Sequence, residues 1–164
     1  MKRRALTSGI GLVAALLLLI SPLNTQTKPG GQQATVRSFL ADFIHAFNNL
    51  DWEKFRSAFT DDATVFYPRG TANRANGRAE IEAHFREVFE QIRAGRTQGP
   101  YMDLQPRSLQ IEIWGGTAVV TFHLDDRPGY INRRTLVLRR VGREWKIAHL
   151  HASEVAAETN APPK

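Results

Sequence analysis

The hydrophobic pattern changes period halfway along this 164-residue chain, and that change limits the folds that the chain can adopt. In the N-terminal half, apolar residues recur every three or four positions, which is the spacing of amphipathic helices. In the C-terminal half, apolar and polar residues alternate on either side of Gly115-Gly116 and again around Gly142, which predicts two β-hairpins. Helices followed by an antiparallel run of strands predict an α+β domain, with the helices packed on one face of a curved sheet.

Three helices are predicted before the hairpins. The first begins at Thr35, after a linker over 29–34, and the second covers 52–59 with Asp51 as its N-cap. The third is "RAEIEAHFREVFEQIRAG", residues 78–95. Between the second and third helices, "DDATVFYP" predicts a short strand and "RGTANRANG" predicts a polar loop.

The N-terminus has the pattern of a targeting segment. Three basic residues, Lys2, Arg3 and Arg4, precede an uncharged and mostly apolar run over 5–23, which is typical of a secretory signal. Because this run of 19 residues approaches the length of about 20 that crosses a bilayer, an uncleaved N-terminal anchor stays open. We therefore interpret 1–28 as a signal peptide or anchor, and expect a secreted or periplasmic protein.

Charge and cysteine content exclude some classes of function. Lys2, Arg3, Arg4 and Lys28 belong to the N-terminal segment, and without them the formal net charge falls from +6 to +2. The basicity of the whole chain is therefore no argument for nucleic-acid binding. The absence of cysteine excludes a disulfide framework and a thiolate metal site.

Three stretches of sequence carry a resemblance to a known family. They are "FLADFIHAFNNLDWEKFRSAFTDDATVFYP", the glycine before "RAEIEAHF", and "LVLRRVGREWKIAHLHAS". Together they resemble the nuclear-transport-factor-2-like (NTF2-like) superfamily, in its SnoaL-like branch near the association domain of calcium/calmodulin-dependent kinase. The resemblance covers 35–153 and leaves 154–164 as a disordered tail. It implies a cystatin-like cone, in which a bent sheet wraps around a long helix and a pocket opens between them.

The same resemblance implies a ligand pocket. At two positions where the kinase relatives have basic residues, this chain has Leu136 and Ala152, which favours a mostly apolar ligand. Arg74, Arg133 and Arg134 are interpreted as solvated surface residues or as charges at the rim of the pocket. The residues predicted to form the pocket are Phe43, Trp52, Phe59, Phe66, Phe85, Leu136 and Leu150.

Four side chains are candidates for catalysis in that pocket. His84 lies on the apolar face of the third helix, and His123 enters the strand "TAVVTFHLDD" close to Asp125. Either histidine or the aspartate is a candidate base, and Tyr67 is a candidate proton donor to a developing oxyanion. No cofactor is predicted.

The last strand, "WKIAHLHAS", contains a His-x-His pair. Strict alternation places His149 and His151 on one face with Trp145, Ile147 and Ser153. Alignment with related enzymes instead favours Leu150 and its neighbours as cavity residues, which directs both histidines to the convex face of the sheet and a dimer interface. A catalytic zinc site needs three protein ligands, and His123 is the remaining histidine of the sheet, so no metal site is predicted.

Three functions remain open at this point. The first is an exported, dimeric SnoaL-like protein that binds or transforms a small molecule, with isomerase-, cyclase- or dehydratase-like chemistry. The alternative is a non-catalytic module for homo-oligomerisation or interaction, and the third is a metal-dependent enzyme using the His-x-His pair. The expected partners are a small molecule and a second copy of the chain. Nucleic acid is not expected, and a membrane is expected only if the N-terminal segment is retained.

Overall fold

A computed structural model describes residues 29–69, 73–96, 98–125 and 128–157. The predicted signal or anchor over 1–28, and residues 158–164 of the predicted tail, lie outside these residues. The tail prediction was wrong for 154–156, because these residues extend the last strand and pair with 130–132. The described residues form three helices and six strands, and they confirm the α+β class. The helices are α1 (Pro29–Asn48), α2 (Trp52–Ser57) and α3 (Arg78–Gly95). The strands are β1 (Phe59–Phe66), β2 (Ala75–Asn76), β3 (Arg107–Trp114), β4 (Thr117–Leu124), β5 (Tyr130–Val141) and β6 (Glu144–Ala156).

The six strands form one mixed sheet in the order β2-β1-β6-β5-β4-β3. Strands β3 to β6 form an antiparallel meander, and its first and third connections are the two predicted turns at Gly115-Gly116 and Gly142. Strand β1 joins the meander by parallel pairing with β6. The predicted polar loop contains one feature that the sequence pattern missed, since Ala75 pairs with Val65 and forms the short edge strand β2.

The helices agree with the sequence except at the start of α1 and at the end of α2, which stops at Ser57 and not at the predicted Phe59, because Phe59 begins β1. Helix α3 has the predicted bounds, and Asp51 caps α2 by accepting a hydrogen bond of 3.2 Å from the Lys54 amide. Helix α1 begins at Pro29, so the interpretation of 29–34 as a linker was wrong. Proline is tolerated at the start of a helix because its missing N–H would have no partner there, and these first turns carry no apolar stripe to signal them. Within the described residues, no helix is long and apolar enough to cross a membrane.

The core lies between the helices and the concave face of the sheet. At its centre is Phe55 of α2, which is 1% exposed. Six aromatic rings lie within 6.3 Å of the Phe55 ring, centroid to centroid. They belong to Phe43, Phe47, Trp52, Phe59, Phe85 and Phe89. A short helix is therefore held in place mainly by aromatic packing.

A β-bulge divides strand β6 into two parts. On strand β5, Val137 and Leu138 are adjacent, but they pair with His149 and Ile147, so that Ala148 is an extra residue on β6. An extra residue of this kind shifts the alternation of all side chains that follow it.

The bulge decides which way the His-x-His pair points. Trp145 and Leu150 are separated by an odd number of positions, yet both are buried, at 5% and 7% exposure. Leu150 and Ala152 consequently lie on the concave face, while His149 and His151 lie on the convex face. The prediction that the two histidines share a face with Trp145 was wrong, because strict alternation does not hold across the bulge.

Candidate functional site

A cavity of about 510 Å³ opens between α1, α3 and the concave face of the sheet. Fifteen of its twenty lining residues are apolar, which suits a ligand with a large apolar surface. The residues that the helices contribute are Phe43, Ile44, Phe47, Phe55, His84, Phe85, Val88, Gln91 and Ile92. The strands contribute Phe122, Leu124, Arg134, Leu136, Leu150 and Ala152, and loops contribute Tyr67, Pro68, Arg69, Met102 and Leu104.

Four of the seven residues predicted to form the pocket line this cavity. They are Phe43 on α1, Phe85 on α3, Leu136 on β5 and Leu150 on β6. Helical periodicity found Phe43 and Phe85, whereas Leu136 and Leu150 were placed in the pocket by the family resemblance.

The other three lie elsewhere, and their assignment to the pocket is corrected. Phe59 is 1% exposed in the aromatic core. Trp52 packs at the edge of that core, with the Arg86 guanidinium 4.3 Å from its ring centroid. Phe66 is 37% exposed and contacts the rings of the two histidines on the convex face. Aromatic character alone does not distinguish a cavity wall from a filled core.

Tyr67 and His84 come together in the cavity wall. Their rings are stacked with centroids 3.8 Å apart and an interplanar angle of 32°. Tyr67 follows the last residue of β1 and precedes Pro68, which cannot continue the strand ladder. His84 projects from α3 beside Phe85, whose ring lies 5.7 Å from each of the other two rings.

The hydroxyl of Tyr67 is buried and has no hydrogen-bond partner among the described residues. Burial raises the pKa of Tyr67 to about 12, with a further contribution from the negative charge of Glu80. The phenol is therefore protonated at physiological pH. It is a hydrogen-bond donor in the wall of the cavity, and a buried donor of this kind is costly unless a ligand or solvent atom satisfies it.

His123 and Asp125 lie outside the cavity, contrary to their predicted placement. The alternate residues of β4, which include Phe122 and Leu124, are at most 3% exposed on the concave face. His123 must therefore point to the convex face, where it is exposed. Asp125 forms an ion pair of 2.8 Å with Arg107 on the surface.

The polar rim of the cavity contains residues that the sequence did not single out for it. Arg134 shares the concave phase of β5 with Leu136, and its Nη1 donates to the carbonyl oxygen of Arg133 at 3.0 Å. Arg69 pairs with Glu154 at 3.5 Å. Of the arginines considered as rim charges, only Arg134 lines the cavity. The register of Arg134 with Leu136 is the signal that would have placed it there.

The convex face of β1 and β6 carries a second polar cluster. Thr64 Oγ1 lies 2.7 Å from His149 Nδ1, and the Phe66 ring centroid lies 5.9 Å from His149 and 5.5 Å from His151. Burial lowers the pKa of His149, with smaller contributions from His151 and Arg74. His149 is therefore neutral at physiological pH.

A metal site at the His-x-His pair has no support from the described residues. They contain no group of three or more His, Cys, Asp or Glu side chains placed to hold a metal ion. His123 pairs across β4 with Arg107 and Arg133, and strand β5 separates it from the two histidines of β6.

Comparison with known proteins identifies relatives by sequence and by fold. A sequence model of the SnoaL-like domain matches residues 36–158. No curated protein matches the chain significantly.

Three solved structures illustrate the shared fold. A candidate dehydratase of the NTF2-like family from Streptomyces avermitilis is 21% identical, with a TM-score of 0.64 over 79% of this chain and 99% of that one. A candidate calcium/calmodulin-dependent protein kinase type II association domain from Thiobacillus denitrificans ATCC 25259 is 24% identical, with a TM-score of 0.58 over 74% and 95%. A cystatin-like fold protein from Burkholderia xenovorans LB400 is 19% identical, with a TM-score of 0.59 over 76% and 92%. The predicted cystatin-like, NTF2-like fold is confirmed.

Proposed function

The chain belongs to the SnoaL-like domain family, and we propose that it binds an apolar small molecule in its cavity and transfers a proton on that molecule. One observation carries the proposal. The cavity is mostly apolar, and its wall holds a buried phenol without a partner among the described residues, stacked on an imidazole.

The two groups suit the chemistry of a carbonyl compound. The Tyr67 phenol donates a hydrogen bond to the carbonyl oxygen, and this bond strengthens as negative charge develops there. The imidazole of His84 accepts the proton from the adjacent carbon, so that the C–H electron pair becomes the double bond of an enolate. Return of the proton to another carbon gives isomerisation. Transfer of the proton to a β-hydroxyl group, which then leaves as water, gives dehydration. Attack of the enolate carbon on a second carbonyl, whose oxygen takes the proton, gives cyclisation.

The rim and the walls of the cavity define the ligand further. The walls near Leu136 and Ala152 are apolar, whereas Arg69, Glu154 and Arg134 place charge at one end of the concave face. A ligand with an apolar body and one polar end satisfies both regions. A pocket with a cluster of basic residues would instead select an anion.

We also propose that the protein works outside the cytoplasm, in a secreted or periplasmic location. The basis is the sequence of residues 1–28, in which basic residues precede a long uncharged run.

Ligand identification by native mass spectrometry tests the proposed cavity. The protein isolated from its producing cells is expected to carry one small molecule, or to take up apolar carbonyl compounds from a mixture. We expect Ala152→Trp to abolish this binding, because the indole fills the space beside Leu150. Ile92→Trp blocks the cavity from the helix side, and gives an independent result if Ala152→Trp is unstable.

His123→Trp is the matched control, since it adds the same indole on the exposed convex face. It should leave ligand binding unchanged. Retention of the ligand by both cavity variants, with native circular dichroism, would place the binding site elsewhere.

Homodimerisation through the convex face is a second candidate function, compatible with the first. The specific observation is Phe66, a large aromatic residue that is 37% exposed and packed against His149 and His151. Val119 and Val137 on neighbouring strands leave part of their apolar surface on the same face. A second copy of the chain would cover this surface.

Sedimentation velocity measures this assembly directly. A dimer is expected at micromolar concentration, and Phe66→Asp should convert it to a monomer, because the buried carboxylate would have no partner. Ala79→Asp, at an exposed position of α3, is the control for added charge. A wild-type protein that is monomeric throughout the same concentration range contradicts the dimer.

A further inference from the structure

Two hairpin turns lie side by side at one end of the sheet and form a surface with exposed apolar and basic side chains. Trp114, beside the β3–β4 turn, is 58% exposed, and Val141, beside the β5–β6 turn, is 50% exposed. They are the two most exposed large apolar residues among the described ones. With Arg140 and Arg143 they define what we call the tip surface.

Strand pairing holds the two turns together. The Arg140 amide donates to the carbonyl oxygen of Gly116 at 2.8 Å, so that the second turn is hydrogen-bonded to the first. Alternation along β3 and β5 places Trp114 and Val141 on the same convex side of the sheet, whereas Arg140 projects from the opposite side of the same end, over the ring of Trp145. Strand β4 lies between the two strands that carry them, so these strands are about 10 Å apart. Their ends form one continuous edge at this end of the sheet.

The charge of the tip surface is positive. The two nearest acid–base pairs are Arg139 with Asp62, at 2.7 Å, and Lys146 with Glu144, at 3.0 Å. Arg140 and Arg143 have no acidic partner among the described residues, and Arg140 lies over the ring of Trp145 instead. Glu112 is exposed on the same convex phase of β3 as Trp114, so the two arginines and this carboxylate leave a net charge of +1 to attract an anionic surface.

Helix α1 starts at the same end of the domain. Trp145 Nε1 donates to Thr35 Oγ1 at 3.1 Å, which places the second turn of α1 beside the β5–β6 hairpin. From there the helix continues backwards to Pro29, about 9 Å further along its axis. Five of the six residues from Gly30 to Thr35 are exposed, so this part of the helix projects from the body of the domain.

The uncharged run over 5–23 is joined to that projecting end by only five residues, 24–28. Five residues span at most about 18 Å when fully extended. If the run is held in a bilayer, the membrane surface must therefore lie close to the start of α1, and hence close to the tip surface.

We propose that the tip surface docks on the anionic lipid surface of the membrane in which residues 5–23 are anchored. Tryptophan side chains favour the interface between headgroups and acyl chains, and arginines are attracted to anionic headgroups. The N-terminal anchor and the tip surface then fix the domain at two points. Glu154, at the charged end of the cavity, is about 30 Å along β6 from Trp145, which lies at the end of the tip surface. The charged end of the cavity therefore faces away from the membrane.

Tryptophan quenching on vesicles tests the docking. The full-length chain is reconstituted into vesicles of phosphatidylcholine and phosphatidylglycerol whose acyl chains carry bromine. Bromine quenches tryptophan only at short range. Trp145 is buried in the domain and Trp52 packs against Phe55 and Phe89 of the core, so Trp114 is expected to account for the quenching of the folded domain. We expect Trp114→Phe to remove that quenching.

The contribution of charge is measured with the double variant Arg140→Gln/Arg143→Gln. The ratio of docked to undocked protein is expected to fall about fivefold for each arginine removed. Arg93→Gln/Arg133→Gln, which removes two exposed arginines elsewhere, is the matched control and should have no effect. Vesicles of phosphatidylcholine alone should resemble the double variant of the tip.

Four outcomes would overturn the proposal. The first is equal quenching in the wild type and in Trp114→Phe. The second is quenching of Trp114 that neither neutral vesicles nor the double variant reduces. The third is an intact mass showing that the membrane-fraction protein lacks residues 1–28. If Trp114 is shielded but bromine does not quench it, the tip surface is covered by a protein partner. This result also overturns the lipid assignment.

Discussion

Replacing Phe55 by alanine should lower the free energy of unfolding by about 3–5 kcal/mol. Phe55 is 1% exposed, and its ring contacts the aromatic residues that join α1, α2, α3 and β1. Removal of the ring leaves a void with aromatic walls, and rigid neighbours of this kind collapse only partly into the space. The effect is expected to be larger than for any exposed aromatic residue.

Denaturant unfolding followed by circular dichroism measures this loss. Phe66→Ala is the matched control, because the same ring is removed from a position that is 37% exposed, and it should cost less than about 1.5 kcal/mol. The slope of free energy against denaturant should stay constant, since a changed slope indicates a change in the unfolded or native ensemble. Similar losses in the two variants would show that α2 is not the centre of the core.

Local patterns in the sequence were sufficient to predict the elements whose structure is determined by their own residues. Helix α3 has an uninterrupted apolar stripe and a glycine before it, and both of its bounds were predicted. The turn at Gly115-Gly116 depends on a residue with positive φ, and Gly115 has a φ of 57°. In both cases the determining interactions lie within a few residues of one another.

The bulge at Ala148 could not be predicted in this way. Strand β6 pairs with β5 on one side and with β1 on the other. Pairing with β1 also shifts in register before Thr64, so both neighbours accommodate the irregularity. Nothing in the sequence around Ala148 distinguishes a bulged residue from an ordinary strand residue.

The error at His123 has the same origin. A histidine near the end of a strand was assigned to the mouth of the cone because polar residues are needed there. The apolar alternative, Phe122 and Leu124, buries more surface on the concave face and determines the phase of β4. Tyr67 and His84 were both identified as candidates, but their contact was not predicted, because it depends on how the end of β1 packs against α3.

We expect the exchange of α-protons in an aryl ketone to be accelerated by this protein and to depend on Tyr67 and His84. The probe ketone is incubated in D₂O, and loss of its α-proton signal is followed by NMR, so that the natural substrate need not be known. Tyr67→Phe removes the donor to the developing enolate oxygen, and should slow exchange by about 10²–10³-fold. His84→Gln removes the base, and should lower the rate at least as much.

The pKa of Tyr67 is about 12, and this value sets the pH range over which Tyr67 can act as a donor. The phenol stays protonated up to strongly alkaline pH, so its donor role is constant across the neutral range, and changes of rate there report on the base. Tyr101→Phe is the matched control, because Tyr101 packs on the core but does not line the cavity, and it should leave the exchange rate unchanged. An exchange rate that is the same in Tyr67→Phe and the wild type, with the ketone bound in both, would restrict the cavity to binding without proton transfer.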